Sequence, residues 1–185
     1  MATRDLKDLG FDVNHPTMLG SCARAATAGE ARFRVPYPNA GVRASRIFAL
    51  DAEAAEAMYA ITEEPWNGAH FLTLANPRPV DPETTDAADL PLAHPDGSRA
   101  DLTDEIEGAD VVVLIATRGD NEGAAEVIAR AAFHRKIMCA GLALAGGRAE
   151  ASVDRVVNSM RRFATVLVVA RDHDYIPAML TALRA

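Results

Sequence analysis

Three short stretches gather side chains that could do chemistry. Asp51-Ala-Glu53-Ala-Ala-Glu56 carries three carboxylates, Thr117-Arg118-Gly119-Asp120-Asn121-Glu122-Gly123 sets a guanidinium beside a glycine-flanked turn, and Arg171-Asp172-His173-Asp174-Tyr175 puts two carboxylates around an imidazole. In the second stretch, a helix starting near Asn121 would offer free N–H groups and a positive dipole end, which suit an anion. Arg118 would add a fork of donors for a phosphate or carboxylate. Thr117, Arg118, Gly119, Asp120, Asn121 and Gly123 are therefore the candidate ligand-binding residues. The plainer alternative is that Asp120 or Asn121 only caps the helix. Asp172 and His173 could bind a metal or move a proton. Asp174 before Tyr175-Ile176-Pro177 also reads as a helix start, with proline in the first turn. Together with Asp51, these residues give a candidate catalytic set of Asp51, Asp172 and His173. They also give a candidate Mg²⁺ set of Asp51, Asp120 and Asp172, as in phosphoryl-transfer sites. Helix capping by the same acids is the competing reading.

The elements that must position these residues are legible as an alternation. Apolar runs at Ile47–Leu50, His70–Ala75, Asp110–Ala116, Ile137–Ala143 and Thr165–Ala170 read as strands. The unbroken β-branched row after Asp110 is typical of a strand buried on both faces, as parallel sheets require. Helical stretches follow at Ala52–Ile61, Asn121–His134, Ala149–Phe163 and Tyr175–Arg184. Alternating strands and helices predict a three-layer, Rossmann-like α/β fold: a mostly parallel sheet with helices on both faces. All three polar stretches then fall at strand carboxyl ends, where such folds bind ligands near a reversal of strand order.

Two segments stand outside this alternation. Residues 1 to 45 lack a strong period and read as an irregular N-terminal arm or cap before one α/β domain over 46 to 185. Between Asp81 and Asp110 there are ten acidic residues against Arg99 alone. Five prolines lie in or beside that segment, so residues 76 to 108 read as an exposed acidic excursion.

Composition narrows the function classes. The chain has 185 residues, 49% of them apolar and 24% charged, with a net charge of -7. These are values of a globular protein, and no apolar run is long enough for a membrane span. The net acidity and the ten aromatic residues argue against a nucleic-acid surface. Two cysteines and the absence of an apolar leader in the given sequence point to a cytoplasmic setting. Its 37 alanines, and the 17 arginines among 19 basic residues, match GC-rich bacterial usage. Cys139 lies in an apolar run and reads as inert core. His15, His70, His94 and His134 show no metal-ligand spacing. No Walker A loop, Gly-x-Gly-x-x-Gly or Gly-x-Ser-x-Gly occurs.

The order of elements over roughly residues 46 to 175 resembles the nucleotide-binding domain of the FtsZ/tubulin family. Gly108-Ala109-Asp110-Val-Val-Val-Leu-Ile-Ala116 is similar to the strand before that family's glycine-rich phosphate loop. Gly123 to Ala129 is similar to the helix after it. Arg148 to Phe163, with the strand ending at Arg171-Asp172, is similar to the next helix and the strand that closes on an Asn-Asp pair. The phosphate-loop glycines are missing: the first loop position reads Asp51-Ala-Glu53-Ala-Ala-Glu56. The resemblance therefore implies a scaffold with a remodelled pocket, and not GTP hydrolysis by the family's mechanism.

The leading expectation is a non-catalytic α/β domain binding a small anionic ligand, nucleotide-like or carboxylated, or a protein partner, or both, with a second copy of itself as one such partner. An Mg²⁺-dependent enzyme acting on a phosphorylated or carboxylated small molecule is the alternative. A structural subunit of a larger assembly is the third reading.

Overall fold

The structure is a computed structural model that describes residues 42–63, 66, 68–76, 78–146, 150–171 and 173–185. The arm expected over residues 1 to 45 lies outside them as far as residue 41, as do Cys22 and Asp172. The described residues belong to a compact unit spanning Gly41–Ala185.

The expected alternation is present. Strand β1 is Ser45–Ala49, helix α1 Ala52–Tyr59 and strand β2 Ala69–Leu74. Strand β5 is Val111–Ala116, helix α3 Glu122–His134 and strand β6 Met138–Leu144. Helix α4 is Glu150–Arg161, strand β7 Val166–Ala170 and helix α5 Tyr175–Leu183. Strands β2, β1, β5, β6 and β7 lie side by side in that order, all parallel.

Period-two alternation sorts the side chains of each central strand to two layers. Phe48 and Leu50, with Val112 and Leu114, pack under α3 and α4 through Ala125, Ile128, Val156 and Met160. Ile47 and Ala49, with Val113 and Ile115, pack under α1 and α5 through Ala54, Met58, Ile176 and Leu180. Every residue of β1 and β5 is buried; the unbroken apolar row of β5 suits this, while the buried residues of β1 include Ser45 and Arg46.

The acidic excursion differs from the exposed loop expected. It contributes two short strands, β3 (Leu92–Ala93) and β4 (Arg99–Ala100), which extend the sheet antiparallel from β2. It also forms the short helix α2, Leu102–Ile106. Leu90, Leu92, Ala100, Leu102 and Ile106 are buried between the exposed carboxylates. Elements of two to five residues carry too little periodicity to stand out against the prolines and acids around them.

One of those acids ties the excursion to the sheet. Glu105 pairs with Arg46 Nε at 3.1 Å and His70 Nδ1 at 2.9 Å, and it faces His94 Nε2 at 3.5 Å. Arg46 Nε also donates to the Glu105 carbonyl at 2.6 Å.

Candidate functional site

The strand order reverses between β1 and β5: β2 lies on one side of β1, while β5, β6 and β7 continue on the other. In open α/β sheets such a reversal leaves a crevice at the strand carboxyl ends. A cavity of about 810 Å³ lies there, lined from the end of β1, the turn after β5, the outer face of α1 and the start of α5. Its size falls in the range of small-molecule sites.

Asp51 stands at its floor and follows β1 directly. Its Oδ1 accepts from the Ala54 N–H at 2.8 Å and so caps α1, as its position in the sequence suggests. The same carboxylate also bridges to the next strand. It accepts from the Thr117 hydroxyl and N–H, both at 2.7 Å, and from the Arg118 N–H at 3.0 Å. Four donors thus converge on one carboxylate and lock the ends of β1 and β5 together.

Asn121 sits at the start of α3, yet its side chain makes no cap hydrogen bond. Its Nδ2 donates to the Leu50 carbonyl at 2.8 Å, a third link between the two strand ends. The residue is only 4% exposed, and among the described residues its Oδ1 has no hydrogen-bond partner. A buried acceptor left unpaired is uncommon and costly.

Of the residues expected to act, Asp51, Arg118, Asp120, Asn121 and His173 line the cavity. Thr117 and Gly119 are buried and do not line it. Gly123 faces elsewhere. A Cβ there would stand 1.8 Å from the Val80 carbonyl oxygen, so the glycine exists to let the excursion pack on α3. With Glu122 it lines a separate groove beside Val80 and Pro82. Asp172 lies outside the described residues, so its expected catalytic and metal roles have no geometry here. Among the described residues, no three His, Cys, Asp or Glu side chains gather into a group that could hold a metal ion.

The wall formed by α1 carries residues that the sequence reading had not assigned to the site. Glu53, Glu56, Ala57 and Ala60 all line the cavity. Their spacing of three, four and seven residues is one helix face, so a helical projection from Asp51 would have found them. The alanines leave the space that larger side chains would fill. Asp174 and Pro177 close the far side at the start of α5. Asp174 makes no side-chain cap bond there.

Arg118 is the cavity's one arginine among the lining residues, and it lies 3.6 Å from Glu53. Cys139 is buried in β6 as expected, and burial pushes its thiol up to about 12. At neutral pH it is a protonated core group and no nucleophile.

Compared with known proteins, the sequence matches no family model and no curated protein.

Proposed function

We propose that this chain is a small-molecule-binding α/β domain. The observation that carries this reading is the cavity of about 810 Å³ at the strand-order reversal between β1 and β5. Its floor is held rigid by the Asp51 hydrogen bonds and by Asn121 on Leu50, which suits a preformed pocket. Binding rather than catalysis is supported by how Asp51 is used. A carboxylate that already accepts from four donors has little left for a metal or a substrate proton.

The test is a thermal-shift screen of the full chain against nucleotides, carboxylated and phosphorylated metabolites, amino acids and amines. A compound at about 100 times its dissociation constant adds about 2.7 kcal/mol of apparent stability. Each hit is repeated on Ala60→Trp. Ala60 is exposed and lines the cavity, so the indole fills the space without entering the core. Hits should vanish in this variant while its own melting temperature stays near the parent's. Hits that persist unchanged would move binding away from this cavity.

A further inference from the structure

We propose that a groove at the carboxyl ends of α3 and α4 docks the acidic excursion of a second copy of this chain. This contact goes beyond ligand binding and does not involve the cavity above. The groove has a volume of about 760 Å³, and Phe133, Ile137, Met138 and Phe163 give it an apolar floor. Phe133 is 64% exposed, the most of any large apolar side chain among the described residues. Its ring meets Phe163 edge-on at 6.5 Å, and the Arg162 guanidinium lies 5.4 Å from the centre of the Phe163 ring. Exposed aromatic rings beside arginine are the anchors that protein contacts use most.

The rim is basic, against the sign of the whole chain. His134, Lys136 and Arg162 line the groove, and no carboxylate does. Arg161 is exposed next to Arg162. Arg162 is paired with Glu126 at 2.7 Å, whereas Lys136 and Arg161 have no ion-pair partner among the described residues. Cations near a helix carboxyl end offset its dipole, which accounts for His134 in α3 and Arg161 in α4. It does not account for Lys136. The Ile137 N–H donates to the Ala132 carbonyl and the Lys136 N–H to the Phe133 carbonyl, both at 3.0 Å, and this closure holds Lys136 at φ 59°. Glycine suits that position best. A lysine there keeps a cation on the groove despite the steric strain.

The chain itself supplies the matching surface. Ten acidic residues fall between Asp81 and Asp110 against Arg99 alone. Within it Asp81, Glu83, Asp86 and Asp89 are all exposed, and none has an ion-pair partner among the described residues. Ala87 and Ala88 lie between the last two acids and are small enough for the Phe133 ring to rest against them. No residue of a chain's own excursion lines its groove, so the match is made between molecules. Groove and excursion are different surfaces. The contact is therefore head-to-tail, and its repetition builds a row of copies. Complementary charge sets its orientation, in a chain whose net charge of -7 otherwise repels its own copies.

Sedimentation equilibrium of the full chain over a concentration series tests this. The weight-average mass of the parent should rise with concentration. Lys136→Glu/Arg161→Glu and Asp86→Lys/Asp89→Lys should each weaken self-association by about tenfold or more. An equimolar mixture of the two variants should regain it, since each reversed surface then meets its reversed counterpart and each native surface its native one. Both variants stay net negative, so diffuse attraction does not explain such a recovery. All four side chains are exposed, and circular dichroism would verify the folds. Lys136→Gly should melt about 2 °C higher than the parent and yet associate more weakly; a residue with only a structural role would not separate the two readouts. A parent of constant mass, or double variants that associate as the parent does, would overturn the proposal. So would a mixture that associates no better than its separate components.

Discussion

Asp51 caps α1 and ties the end of β1 to the turn after β5. Replacing it with alanine removes the α1 cap and three bonds to the turn after β5. We expect Asp51→Ala to lose about 2–4 kcal/mol, a cap plus charge-assisted hydrogen bonds that leave buried donors unpaired. Asp51→Asn should lose less, because the amide oxygen still accepts. Urea unfolding with an unchanged slope would measure both. The cap was legible in the sequence, since a helix-favouring run follows Asp51 directly. Its bonds to Thr117 and Arg118 were not. They span 66 and 67 residues and exist only because β1 and β5 pair. The thiol of Cys139 gives a second test at this scale. Folding holds a proton that the unfolded chain releases above about pH 9, so this contribution is full below pH 9 and is lost as pH rises toward about 12. In a Cys22→Ser background, an aromatic disulfide reagent at pH 8 should leave the native protein unlabelled and label it one-to-one after unfolding.

Packing between elements sets two opposed effects against each other at Gly123. In a helix interior, alanine is favoured over glycine by about 1 kcal/mol. Here the added methyl would collide with the Val80 carbonyl at 1.8 Å, and its next neighbours are backbone carbon and the Pro82 ring. Backbone cannot swing aside as a side chain can, so we expect Gly123→Ala to destabilise by about 1–3 kcal/mol. Hydrogen exchange should quicken around residues 80 to 85, which Arg130 also holds through the Pro82 carbonyl. Stabilisation would mean the excursion is not seated on α3. This contact also gives the last glycine of the stretch at 117 to 123 a packing role. That glycine answers to a neighbouring segment 43 residues earlier, which no local pattern reveals. The long elements were legible because each carries several turns or an unbroken apolar run. The hairpin of β3 and β4 was not, because two residues per strand give no period to read.

At the scale of the whole sheet, parallel alternation was readable, whereas the order of strands was not. Sequence pattern says that a strand is buried on both faces but not which strands flank it, so the place of the reversal came only with the fold. The same order leaves two unequal edges. On one side β4 is two residues long, with Arg99 exposed, which blunts the edge in the usual way. On the other, β7 is five residues of valine, leucine and alanine, with Val166 40% and Val169 54% exposed. It pairs with β6, and no second described strand lies beside it. An uncharged edge with free main-chain donors and acceptors favours strand-to-strand association between molecules. Val169→Lys should therefore lower concentration-dependent association, read as a smaller rise of weight-average mass in sedimentation equilibrium. Because Val169 is more than half exposed, the melting temperature should change little. An equal rise in mass for parent and variant would place the association elsewhere. A large fall in melting temperature would instead show that Val169 is packed in solution, and that this edge is covered.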